Sequence, residues 1–326
     1  MKLCTYQVGN GPMKLGVALL ERNRLLDVAA AHASLRGAPM AALSSMLALI
    51  ESGAAGMQVL RELTERSSSL EPHLVDMAKV KLRPPLPVPL QIRDCSVFEA
   101  HVRNGGAGMA RLKARLNGQP APAAASGDIP PVYRKQPIYY ISNRFNVIGP
   151  DDVVHWPSYS RVMDFELELA IIIGRTGRDI PVSEAGQHIF GYTIFNDFSA
   201  RDQQSIEMDG WLGPTKGKSF DNANSIGPWI VTTDELGDPS GLTVSVRVNG
   251  KPWVTTNTSG MLHTFADMIA FISKDETLHA GELIGSGTVG GCSGLEIDHF
   301  LESGDTVELQ VSRIGVLRNK VIAKTT

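Results

Sequence analysis

The chain reads as an α+β protein that is mostly β, a mixed and largely antiparallel β-roll or sandwich with a smaller N-terminal domain. Three observations predict it. From Pro137 onward, short apolar runs such as PIYYIS, YTIFND, GPWIVT, LTVSVRVNG, PWVTTNT and DTVELQV follow one another, with alternating or fully apolar strand patterning. Gly, Asn and Asp turns separate them, VNGKP being a hairpin signal. Only two helical stretches interrupt the run, SARDQQSIEM and LHTFADMIAFIS, too few for the βαβ alternation of a doubly wound parallel sheet.

In chain order, residues 1–85 form a separate small α/β unit and 86–326 the larger β-roll. MKLCTYQVG and KLGVALLERNRLLDV are strand-like around the turn signal GNGP. An Ala/Leu-rich helical stretch follows with Leu43, Met46, Leu47 and Ile50 on one face, and PHLVDMAKVKL reads as another short helix. The proline-rich RPPLPVPLQIR, near residues 82 to 93, marks the boundary because proline removes donors and favours extended chain. Asp94 next stands where it could cap a short helix carrying Val97, Phe98, Ala100 and Val102. Residues 103–135 are rich in Gly, Pro and Ala and read as an irregular insert, with a short basic helix around Ala110 to Leu116, either an excursion or a lid over a site.

Totals narrow the function. At 326 residues the chain can bury a sizeable core, and its 43% hydrophobic and 20% charged composition is that of a soluble globular protein. A formal net charge of −3 gives no electrostatic reason to bind nucleic acid or a membrane surface. Cys4, Cys95 and Cys292 lie far apart without a CxxC pair, which argues against a disulfide framework or structural zinc. The start lacks the long apolar core of a signal peptide and no apolar run is long enough to span a bilayer, so a cytoplasmic location is expected. GxSxG, HExxH and a strand-following GxGxxG are missing, and GPTKGKSF lacks phosphate-loop spacing.

The chemistry concentrates between Asp164 and Gln204. In DFELELAIIIG, Glu166 and Glu168 share one strand face while Phe165, Leu167 and Leu169 point the other way. GYTIFND ends on Asp197. If the two strands lie close in one sheet, three carboxylates converge, an arrangement stable only when protonated or holding a cation. All-oxygen ligands suit magnesium, manganese or calcium. The ordinary alternative is a solvated strand face. Ser199 could cap the following helix, which places Arg201 and Gln204 on one side. His101 and Lys218 say little alone, and the glycines of GSGTVGGCSGLEI, the stretch that holds Glu296, either let backbone approach a ligand or make tight turns, turns being the simpler reading.

Taken together, DFELELAIIIG, GYTIFNDFSARDQQ, GKSF followed by GPW, and GTVGGCSGLEI with SGDTVEL resemble the fumarylacetoacetate hydrolase family, from about Asp94 to the C-terminus. The resemblance implies that Asp94, Glu166, Glu168 and Asp197 hold the metal. It implies His101 as the catalytic base, Glu296 as the acid that orients it, and Arg201, Gln204 and Lys218 as groups around the substrate oxyanion. It further implies a homodimer, a small oxo-acid substrate and a place in aromatic-compound breakdown. Met208 stands where the namesake enzyme has a substrate-contacting tyrosine, and YYISNRFNV departs from the usual pattern, so side-chain recognition is rewritten. The expected activity is hydrolysis of a C–C bond in a β-diketo acid. Hydratase, isomerase or decarboxylase chemistry on a 2-oxo acid is the alternative, and a non-enzymatic ion-binding protein a third.

Overall fold

The computed structural model describes residues 1–122 and 128–324. Among these, twelve strands join in one sheet. Its continuous path runs Leu74–Asp76, Arg24–Asp27, Lys14–Leu19, Lys2–Gln7, Asn224–Thr232, Ile189–Asp197, Glu166–Ile173, Leu283–Ser293, Ile92–Cys95 and Tyr139–Ser142. Neighbours along it are antiparallel except Leu283–Ser293 with Ile92–Cys95. The last six strands curl back on themselves. Asn224 on the first of them donates to Ser142 Oγ on the sixth at 3.0 Å, and the Tyr140 hydroxyl of the sixth donates to Asp197 Oδ2 on the second at 2.7 Å. Contacts between strands so far apart in the order require a closed roll, as expected from the strand-rich sequence. A second sheet, of five strands, packs against it with Lys251–Asn257, Thr243–Val248, Thr306–Val311, Gly315–Ala323 and Val153–Trp156 in that order.

Period-2 alternation sorts the Glu166–Ile173 strand between two cores. Leu167, Leu169, Ile171 and Ile173, with Phe165 just before them, enter the core shared with the five-stranded sheet, while Ala170 and Ile172 pack with Leu3, Leu15, Leu49 and Ile50 of the N-terminal region. Glu166 and Glu168 lie on that second side, and both are buried. The solvated-face alternative is therefore overturned: the strand is covered on both faces. The helix Phe265–Ile272 buries Phe265, Met268, Ile269 and Ile272, the stripe its sequence carries, and begins with a Thr264–Asp267 capping box. In the N-terminal region Leu43, Met46 and Ile50 are buried as their spacing suggests. No helix among the described residues is long and apolar enough to cross a membrane.

Several local expectations are corrected. PHLVDMAKVKL forms two short strands, Leu74–Asp76 and Lys81–Arg83, around a single helical turn, because each finds a ladder partner in the N-terminal strands. Asp94 caps nothing. It lies within the Ile92–Cys95 strand, and the following helix starts at Glu99 after Phe98, without a side-chain cap. That helix, Glu99–Leu116, replaces most of the expected irregular insert and a second, Val132–Lys135, follows it; residues 123–127 of the insert lie outside the described residues. The glycines hid it, since each costs about 1 kcal/mol in a helix interior. Packing decides otherwise: Gly108 abuts the Leu295 backbone where a Cβ would collide. Ser199 likewise sits in the short strand Ser199–Ala200 rather than capping the Arg201–Glu207 helix, and its hydroxyl donates to the Asp197 carbonyl.

Candidate metal centre and its His–Glu pair

The roll brings four consecutive strands to one point. Asp197 ends its strand, Glu168 lies on the next, and Asp94, on the fourth, pairs with Gly285 of the third. Oxygens of Asp94, Glu168 and Asp197 all lie within 4.8 Å of one another, and all three residues are buried. One oxygen of each, Asp94 Oδ1, Glu168 Oε1 and Asp197 Oδ1, has no hydrogen-bond partner among the described residues. Glycine makes the convergence possible. A Cβ on Gly285 would lie 2.5 Å from Asp94 Oδ1 and 2.8 Å from Glu168 Oε2, and the Gly287 N–H, at φ +76°, donates to Glu168 Oε2 at 3.0 Å. The expected turn-forming role of these glycines is thus corrected: they lie inside the Leu283–Ser293 strand and make room for carboxylates.

Burial, and then the negative charges of its neighbours, pushes the Asp94 carboxyl well above the ordinary range, with Asp197 the strongest of those charges. Glu168 moves the same way through burial and then Asp94. Burial raises Asp197 too, although Lys218 opposes the shift. Three crowded carboxyls with unpaired oxygens are resolved either by retained protons or by a cation. The donor set is all oxygen, which fits a hard divalent ion.

Glu166, two residues from Glu168, meets different company. Arg201 Nη2 donates to its Oε1 at 2.6 Å, and the Lys218 ammonium bridges its Oε2 to Asp197 Oδ2. Burial opposes ionisation of Glu166, but Arg201 and Lys218 outweigh it and hold the carboxyl below the usual carboxylate range. Both cations are buried. Burial works against their charge too, and the carboxylates prevail, keeping each above its ordinary pKa. Glu166 borders the three-carboxylate cluster rather than completing it, and each of its oxygens retains a second lone pair for a metal.

Beside Glu166, His101 Nδ1 lies 2.9 Å from Glu296 Oε2, while Nε2 stands 3.8 Å from Glu166 Oε1. Ionised Glu296 only accepts, so the Nδ1 proton points at it and Nε2 turns its lone pair to the cavity. Glu296 is fixed in turn by Gly291 N–H at 2.8 Å and the Ser293 hydroxyl at 3.0 Å. Gln204 Oε1 accepts from Arg201 Nη1 at 2.8 Å, as their i, i+3 spacing allows, which leaves the amide NH2 for other partners.

All nine sequence-derived residues thus meet in one neighbourhood, and His101, Glu166, Glu168, Asp94, Arg201, Gln204 and Lys218 line a single cavity of ≈ 500 Å³. Three contributors escaped sequence reasoning. Asp164 accepts from Arg201 Nε at 2.6 Å and from the Gly294 and Leu295 N–H groups at 2.7 and 2.9 Å, joining the acidic strand to the turn that carries Glu296. Tyr140 holds Asp197, and Ser293 holds Glu296. Asp164 stood in the DFELEL run, but only tertiary contact distinguishes it from a solvated acid.

Fold and site together define a β-roll protein with a buried carboxylate cluster that could hold a divalent cation, beside a histidine–glutamate pair. Residues 101–322 match the Fumarylacetoacetate (FAA) hydrolase C-terminal domain, and the chain belongs to the fumarylacetoacetate hydrolase family. An uncharacterized protein of Archaeoglobus fulgidus is 39% identical over 189 residues, 58% of this chain and 70% of that protein. The mitochondrial oxaloacetate tautomerase FAHD2A of Homo sapiens is 37% identical over 191 residues, 58% of this chain but only 60% of the tautomerase. Among solved structures, the fumarylacetoacetate hydrolase of Exiguobacterium antarcticum superposes with a TM-score of 0.71 at 25% identity, covering 99% of this chain and 100% of that one. Maleylpyruvate hydrolase from Sphingobium sp. SYK-6, solved with manganese(II) and pyruvate, shares the fold at TM-score 0.70 and 24% identity over the full length of both chains.

Proposed function

We propose that this chain hydrolyses a C–C bond in a β-diketo acid of the acylpyruvate type, with His101 and Glu296 activating water. The observation that carries the reading is the 2.9 Å His101–Glu296 contact, which leaves Nε2 facing a cavity floored by the carboxylate cluster. Asp94, Glu166, Glu168 and Asp197 would hold a magnesium or manganese ion. Bound there, it would supply Lewis-acid polarisation of the 2-oxo acid head.

The chain's own residues do the rest. His101 Nε2 accepts a proton from water, and the water oxygen bonds to the acyl carbonyl carbon. Gln204 Nε2 and the Lys218 ammonium donate to the oxygen that gains charge, each well-placed donor being worth roughly 3–4 kcal/mol. Collapse breaks the C–C bond. Its electron pair leaves with the pyruvate-side carbon, which takes a proton, and the acyl group departs as a carboxylic acid. Glu296 steadies the imidazolium throughout, without itself accepting a proton.

A second reading, tautomerisation or isomerisation of a 2-oxo acid, is favoured by the name of the human relative, and the same histidine could move a proton to and from carbon. A panel of diketo and 2-oxo acids with magnesium or manganese, products read by mass, separates the two. Hydrolysis adds one water, whereas tautomerisation leaves the mass unchanged and shifts only the enol absorbance. His101→Ala is expected to keep divalent-ion binding by calorimetry while losing about 10²–10⁴-fold in kcat. Undiminished turnover in that variant would remove His101 as the base.

A further inference from the structure

The cavity has two unlike ends. Its floor carries Asp94, Glu166, Glu168, Arg201, Lys218 and His101. Its outer wall comes largely from Val102 and Met109 of the His101 helix, Tyr133, Met208, Pro214 and Leu295. Among the described residues, Arg201, Lys218 and His101 are the only basic side chains that line it. All three are committed: Arg201 to Asp164 and Glu166, Lys218 to Glu166 and Asp197, His101 to Glu296. Residues 123–127 read Ala-Ala-Ala-Ser-Gly, so they have no cation to add.

We infer that the substrate is a 2-oxo monoacid whose far end is an uncharged, apolar acyl chain or ring, and not a dicarboxylate. This rests on the proposed function for the placement of the oxo-acid head at the floor. The cations lining the cavity are already paired with the chain's own carboxylates, so a second substrate carboxylate would find no cationic partner and would be desolvated against Val102, Met109 and Leu295. A hydrocarbon tail gains by the same burial. The volume agrees. At roughly 30 Å³ per non-hydrogen atom, a six-atom oxo-acid head takes at most about 180 Å³, well under half of the ≈ 500 Å³ cavity. Exposed Met208 at the rim adds a flexible, apolar contact rather than a polar one.

The test pairs 2,4-dioxo monoacids carrying hydrocarbon tails with 2,4-dioxo diacids of matched length, on the full chain with magnesium or manganese. The monoacids are expected to show at least tenfold higher kcat/KM; equal or higher values for the diacids would overturn the inference. Met109→Arg is expected to narrow the ratio by admitting the diacid, and a ratio unchanged in a folded variant would count against this wall as the specificity surface. Calorimetry with non-cleavable 2-oxo acids of both kinds gives a readout independent of reaction. Tighter monoacid binding without hydrolysis of any panel member would sink the proposed reaction yet sustain the inference. Equal or tighter diacid binding would sink the inference while leaving the reaction open.

Discussion

Glu166 and Glu168 differ by two positions on one strand, share one face and are both buried. Yet the first is paired with Arg201 and Lys218 and held ionised, while the second faces Asp94 and Asp197 and is pushed toward its protonated form. The environment, not the residue type, assigns the roles. Glu166 has its charge met within the chain and keeps spare lone pairs at the border of the cluster. Glu168 sits within that cluster, which needs something from outside.

The comparison can be broken most forcefully from the paired side. Arg201→Met would leave Asp164 and Glu166 without their shared cation, and removing one partner of a buried pair costs about 3–5 kcal/mol. Urea unfolding should show that loss, and a change below about 1 kcal/mol would mean the network contributes little. At Glu168, Glu168→Gln removes a proposed ligand and relieves crowding together. Divalent-ion affinity by calorimetry should fall at least about 100-fold, near 2.8 kcal/mol, with the fold retained; undiminished affinity would remove Glu168 from the metal set.

A pH series sharpens the contrast. Carboxyls raised by burial, as Asp94 and Glu168 are, bind protons more readily folded than unfolded. Their stabilising effect is full below the unfolded carboxylate pKa, about 4, and is lost as pH rises through the folded values. The metal-stripped protein should therefore weaken with rising pH, by about 1.4 kcal/mol per unit for each proton retained. Magnesium should flatten that slope, and so should the double variant Asp94→Asn, Glu168→Gln. If stripped wild type and double variant show the same slope, the two carboxyls are not the cause. The smallest effect is expected from Tyr140→Phe, which deletes one donor to Asp197 Oδ2 and leaves Lys218 on the same oxygen. A loss of about 1 kcal/mol in stability is expected, measured by the same unfolding curves; no change would assign Asp197 to Lys218 alone.

Much of this was legible in the sequence. Period-2 alternation placed Glu166 and Glu168 together, turn residues marked the strands, and the family resemblance paired His101 with Glu296, 195 positions apart. What stayed hidden depends on neighbours distant in the chain. The helix from Glu99 was masked by glycines whose value lies in contact with Leu295. Asp164 and Ser293 look like surface polar residues until the roll closes on them. The split between Glu166 and Glu168 could not be read either, because the alternation that puts them side by side treats them as equals.

The seam between Lys2–Gln7 and Asn224–Thr232 has its own consequence. Lys2 and Leu3 pair with Val231 and Ile230, so the strand that runs back to Asn224, beside Asp197, does not end in bare backbone there. An open strand margin invites other chains to add to it. The N-terminal strands, out to Leu74–Asp76, thus serve as a selvedge, the woven border that keeps a cloth from unravelling, for a sheet whose chemistry lies several strands inward.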